Sequence, residues 1–82
     1  MKVKTIFLVK VRAYARGELL TVYSFDAFAD FDYGVAALKK VAEEFADKDD
    51  SIVWDGDTLA RIYKPTGDKA YSVLLSSISY HE

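Results

Sequence analysis

From Lys2 to Tyr14 the chain alternates in character: Val3, Phe7, Val9, Val11 and Ala13 fall to one side, and Lys4, Ile6, Leu8, Lys10, Arg12 and Tyr14 to the other. Successive side chains of an extended chain point to opposite faces of a sheet, so this pattern predicts a long strand with two unlike faces. Ala15-Arg16-Gly17-Glu18 follows as a hairpin connection in which Gly17 supplies a positive φ. Leu19 to Phe25, rich in β-branched, aromatic and aliphatic residues, predicts a second strand antiparallel to the first.

Asp26 to Asp32 carries three aspartates suited to capping a helix and to the positive end of its dipole. From about Tyr33 to Asp47 the spacing becomes helical, with Val35, Leu38, Val41, Ala42 and Phe45 on one side and Lys39, Lys40, Glu43 and Glu44 on the other. Phe28 and Phe31 continue the rhythm upstream, so the helix starts at about residue 26 or about residue 33. A glycine inside a helix costs about 1 kcal/mol, which favours the later start with Gly34 at the helix edge. Lys48 to Asp50 ends the helix, and Ser51-Ile52-Val53-Trp54 offers a short strand turning at Asp55-Gly56-Asp57. Thr58 to Lys64 predicts the next strand. Pro65-Thr66-Gly67-Asp68 then turns the chain into a last strand from Lys69 to Tyr80, Pro fixing one φ and Gly admitting a positive one.

The order is ββαββ, with Ser51 to Trp54 open as an additional short strand. It predicts one α+β domain over residues 1–82, two layers deep, in which an antiparallel four-stranded sheet carries one helix on one face. Parity assigns Val3, Phe7, Val9, Val11, Leu20, Val22, Ala60, Ile62, Leu74 and Ile78 to the covered face, opposite Val35, Leu38, Val41 and Phe45. The complementary set is Lys4, Ile6, Leu8, Lys10, Arg12, Tyr14, Leu19, Tyr23, Leu59, Arg61, Tyr63 and, in one register, Tyr71 and Val73. A sheet face that meets only water is usually more polar than this, and Tyr and Arg are enriched at binding hot spots. Lys4, Lys10, Arg12, Tyr14, Tyr23, Arg61 and Tyr63 are therefore the candidate partner-binding residues.

The net charge of −2 conceals two opposite surfaces. Met1 to Arg16 holds five basic residues and no acid, whereas Asp26 to Asp57 holds ten acids against three lysines. Glu43, Glu44, Asp47, Asp49, Asp50, Asp55 and Asp57 form a secondary candidate, an acidic ridge that presents negative charge to a basic groove as a nucleic acid does. At 51% hydrophobic and 15% aromatic, the composition excludes a disordered chain. No cysteine is present, which excludes a disulfide framework and thiolate zinc sites, and a cytoplasmic location is the expectation. The apolar run Ile6-Phe7-Leu8-Val9 is cut off by Lys10 and Arg12, too short for a signal peptide and far short of a membrane span.

No catalytic set assembles from this inventory. The single histidine, His81, stands one residue from the end, and the carboxylates fall in a helix face and turns without the burial that raises a carboxyl pKa. Counted from Asp47 as a calcium loop, Ile52 stands where the sharp-turn Gly belongs and Thr58 where the bidentate Glu belongs. The four glycines are isolated and make no phosphate loop. The expectation is a non-enzymatic binding protein without metal or cofactor, with a protein partner favoured. A nucleic-acid-binding domain that stacks bases on the basic, aromatic face is the alternative, and a self-assembling structural protein, as in a homodimer, is the third.

The segment Thr58-Leu59-Ala60-Arg61-Ile62-Tyr63-Lys64-Pro65-Thr66-Gly67-Asp68-Lys69-Ala70-Tyr71 makes a terminal hairpin that follows a helix. With the short length, the absence of cysteine and the ββαββ order, it resembles small phage-encoded inhibitors, in particular anti-CRISPR proteins. The resemblance implies a protein that binds a host nuclease or surveillance complex and blocks nucleic acid entry. It rests on layout, and no functional residue carries over from it.

Overall fold

The computed structural model describes residues 3–81, without the side chains of Val3, Asp26, Tyr80 and His81. The elements are β1 (Val3–Ala15), β2 (Glu18–Phe28), α1 (Phe31–Phe45), β3 (Ser51–Asp55), β4 (Leu59–Tyr63) and β5 (Lys69–His81). All strands join one antiparallel sheet in the order β2-β1-β5-β4-β3. The α+β class thus holds, with five strands in place of four. The fifth is β3, whose Ile52 and Trp54 pair with Ile62 and Ala60.

Local chemistry accounts for the turns. Arg16 and Gly17 both take positive φ, 53° and 80°, the backbone of a two-residue hairpin turn whose twist matches the flanking strands. Asp30 caps the helix, its Oδ1 accepting from the Asp32 N–H at 2.8 Å, and the Asp32 carboxylate lies in the first turn where the dipole favours it.

The helix therefore begins at Phe31 rather than Tyr33 and ends at Phe45, and β2 runs on to Phe28 instead of stopping at Phe25. Gly34 lies inside the helix because the sheet comes close there. A Cβ at Gly34 would stand 3.0 Å from Leu75 Cδ1 and 3.4 Å from Phe7 Cβ. Gly34, Leu38 and Ala42, one helical turn apart, make the buried line of the helix.

The core is Val9, Val11, Leu38, Ala42, Ala60, Ile62 and Val73, all fully buried. The parity expected for β1 and β4 is observed, as is the uncovered position of Leu19 opposite Tyr14, whereas that for the rest of β2 and for β5 is reversed. Val73 pairs with Val11 and Tyr71 with Ala13, so both look toward the helix, as does Leu75 opposite Val9. Leu74 and Ile78 pair with Lys10 and Ile6 and lie on the uncovered face. Likewise Val22 pairs with Arg12 on the uncovered face, and Tyr23 pairs with Val11 on the covered one. In β2 the physical cause is a bulge at Leu20, where the register slips between Ala13↔Thr21 and Tyr14↔Leu19; in β5, where both parities are apolar, the unbroken pairing with β1 decides the face. Leu20, assigned to the core by parity, is 65% exposed. Val3, assigned to the same face, has its side chain outside the described residues.

Aromatic rings pack at both ends of the helix on the covered face. Phe45 meets Tyr71, Phe25 and Tyr23 with ring centroids 5.0, 5.9 and 6.4 Å away, and Phe7 meets Phe31 edge-on at 5.5 Å. One helix does not span five strands, and a cleft of about 290 Å³ remains between α1 and β2, lined by Val9, Phe25, Phe28, Ala37 and Val41 with Lys40 and Glu44.

Candidate functional site

Strand pairing lays the uncovered face out in rows. Arg12 of β1 stands opposite Ser72 of β5, and Ser72 stands opposite Arg61 of β4, so two arginines flank one serine across three adjacent strands. Neighbouring strands lie about 4.8 Å apart, which puts the two Cα atoms roughly 10 Å from each other. In the next row Tyr63 pairs with Lys69, and the Lys69 ammonium sits 4.2 Å above the ring centroid of Tyr14 in a cation–π contact. On the other side Lys10 pairs with Leu74 and Leu74 with Leu59.

These rows enclose an open hollow of about 410 Å³ lined by Arg12, Tyr14, Thr58, Leu59, Arg61, Lys69, Ser72, Leu74 and Leu75. Arg61 is held in place from the strand edge, donating from Nη2 to Asp55 Oδ2 at 2.9 Å. Both partners of that pair are partly exposed, so its contribution is to orientation more than to stability. Ser72 is the one buried polar residue among the described residues, 6% exposed, and its hydroxyl takes no hydrogen bond from the protein.

Of the residues proposed from sequence, Arg12, Tyr14 and Arg61 converge on the hollow, with Tyr63 at its rim and Lys10 one row away. Lys4 lies on the same face at the far end of β1, where it pairs with Tyr80. Tyr23 does not belong to the set, because it faces the helix and approaches Phe45. Lys69, Ser72, Leu59 and Leu74 complete the lining. The sequence signal for Ser72 and Leu74 was their place in β5, and it needed the correct pairing of β5 with β1 to be read.

The acidic ridge is divided. Glu43, Glu44, Asp49 and Asp57 are exposed, but Asp55 belongs to the uncovered face through Arg61. Asp47 and Asp50 are turned onto Lys64, whose Nζ donates to Asp47 Oδ2 at 2.8 Å and to Asp50 Oδ2 at 3.2 Å. The Asp47 N–H also donates to Asp50 Oδ2 at 2.9 Å, closing the turn after the helix. That backbone donor first, and Lys64 second, hold the Asp50 carboxyl below its ordinary value of 3.8, and the two carboxylates raise Lys64 above 10.5.

A depressed carboxyl contributes stability that is present above its unfolded pKa and is lost as pH falls through its folded pKa; a raised lysine contributes below its unfolded pKa and is lost as pH rises through its folded one. Urea titrations should therefore show the Asp50 contribution intact at neutral pH and fading below 3.8. Asp50→Asn should lower the midpoint at pH 7 and flatten that acid limb. An unchanged acid limb in the variant would remove Asp50 from this role.

Among the described residues, no group of three or more His, Asp or Glu side chains is arranged to hold a metal ion, and no helix is long and apolar enough to cross a membrane. Comparison with protein-family profiles, with curated proteins and with solved structures returned no match.

Proposed function

We propose that this chain is a non-enzymatic protein-binding module whose working surface is the uncovered sheet face, and that its partner presents acidic side chains there. The observation that carries this reading is the convergence of Arg12, Arg61 and Lys69 with Tyr14 and Tyr63 on a face no helix covers. The face carries Lys10, Arg12, Arg61 and Lys69, with Asp55 held beside Arg61. Such a field speeds encounter with an acidic surface, while arginine and tyrosine supply directed hydrogen bonds and desolvated area once contact is made. Within this class, the resemblance to small phage inhibitors favours a component of a host nucleic-acid-processing complex as the partner.

Nucleic acid is the weaker reading of the same face. A stacking platform needs free aromatic faces, and here Tyr23 points to the helix while the Tyr14 ring is occupied by Lys69. The acids of the rest of the chain also oppose a long polyanion.

The test is affinity purification from host extract, followed by binding kinetics of the recovered partner. Arg12→Glu with Arg61→Glu should slow association and weaken the complex at least about tenfold, whereas Tyr63→Ala should chiefly speed dissociation. Binding that survives these changes but collapses on Glu43→Lys, Glu44→Lys and Asp49→Lys would transfer the function to the acidic ridge. Salt-dependent retention on single-stranded nucleic acid, abolished by Lys10→Glu and Arg12→Glu, would move the nucleic-acid reading to first place.

A further inference from the structure

The hollow holds a feature that a general contact surface does not require. Ser72 is 6% exposed and lines the hollow, yet its hydroxyl takes no hydrogen bond from the protein. No buried side-chain oxygen or nitrogen among the described residues lacks a partner, so the Ser72 hydroxyl, which has no protein bond, opens to the hollow, where water or an incoming group supplies its bond. It is flanked by Arg12 on one neighbouring strand and Arg61 on the other. Each guanidinium is a planar fork of donors that matches an oxyanion. The Arg61 fork already donates from Nη2 to the Asp55 carboxylate at 2.9 Å, which uses one of its donors and helps fix its plane.

Resting on the protein-binding reading of this face, we propose that the hollow is a receptor for the carboxylate of a single glutamate or aspartate of the partner. The carboxylate lies over Ser72, accepts from the Ser72 hydroxyl and is clamped by Arg12 and Arg61. Leu59 and Leu74 line the same hollow, so the methylene stem of the incoming residue meets apolar surface. A bare phosphate has no stem to place there, and this distinguishes the carboxylate from a phosphate group of equal charge. Lys69, drawn onto the Tyr14 ring, adds positive field at the rim.

The site can be tested on the protein alone. The isotope-labelled full chain is titrated at low salt with hexaglutamate, with inorganic phosphate and with single-stranded oligouridine, following the Ser72 amide and the Arg12 and Arg61 side-chain signals. Hexaglutamate should give saturable shifts at these three residues. Ser72→Ala should weaken that binding about three- to tenfold with the fold intact, and Arg12→Gln with Arg61→Gln should abolish it. The Gln variants keep the fold testable, because both positions are on the sheet surface. Hexaglutamate shifts that never saturate, or that persist in the Gln variant, overturn the proposal. Tighter saturation by phosphate or oligouridine at the same signals also overturns it and assigns the hollow to phosphate. The two readings fail separately: a partner complex weakened by Arg12→Glu and Arg61→Glu but indifferent to Ser72→Ala removes only the clamp, while a complex indifferent to all three removes the face.

Discussion

Leu38→Ala is expected to lower stability by about 3 to 5 kcal/mol, the range for emptying a fully buried leucine site that relaxes little. Leu38 is fully buried and stands in the middle of the helix line, against the cluster that contains Val9, Val11, Ile62 and Val73. Domains as a rule hold only about 5 to 15 kcal/mol in reserve, so this one change removes a large part of it. Phe7→Ala and Phe45→Ala should cost less, about 2 to 3 kcal/mol, because both rings remain partly exposed. Urea titration of the three variants decides the ranking. A Leu38→Ala loss below that of Phe45→Ala would shift the centre of the core to the aromatic end.

Gly34→Val should cost about 2 to 3 kcal/mol, an overpacking penalty, and Gly34→Ala should be close to neutral. An alanine Cβ would stand 3.0 Å from Leu75 Cδ1, the tip of a flexible side chain that can give way, and the strain is offset by a helix-propensity gain of about 1 kcal/mol. Valine adds two more carbons in a place where Phe7 Cβ, 3.4 Å from the first, cannot retreat without moving β1. Equal midpoints for the glycine and valine proteins would mean that the helix does not approach the sheet this closely at Gly34.

Gly34 also marks where sequence reasoning reached its limit. Its cost inside a helix is a local quantity, and it argued for a start at Tyr33; the helix starts at Phe31 because the close contact with Leu75 and Phe7 is a tertiary gain that no window of sequence contains. The alternation of β1 was legible because its lysines and arginine mark one side unambiguously. β4 was legible for the same reason, through Arg61 between Ala60 and Ile62. In β2 and β5 both parities are apolar: Leu20 and Val22 compete with Tyr23 and Phe25, and Leu74 and Ile78 compete with Val73 and Leu75. There the face is decided by a bulge and by the partner strand, and neither is written in the strand itself. The same ambiguity hid half of the candidate site. Arg12, Tyr14 and Arg61 were found by their charge and type, whereas Ser72 became visible only when Val73 was seen to pair with Val11.

The order β2-β1-β5-β4-β3 puts the last strand between the two hairpin-like halves of the chain. β5 pairs with β1 from Val3↔His81 to Ala13↔Tyr71 without a break in register, and along its other edge with β4. During synthesis, the β1–β2 and β3–β4 pairs can close as soon as they emerge, but each keeps an open edge until the final strand is made and inserted. A topology dominated by such distant pairings has a high contact order and folds slowly for its size. The nascent chain is therefore most exposed to edge-to-edge aggregation in the interval before β5 is free to insert. Deleting β5 would not shorten the sheet at its margin; it would remove the strand that joins the two halves.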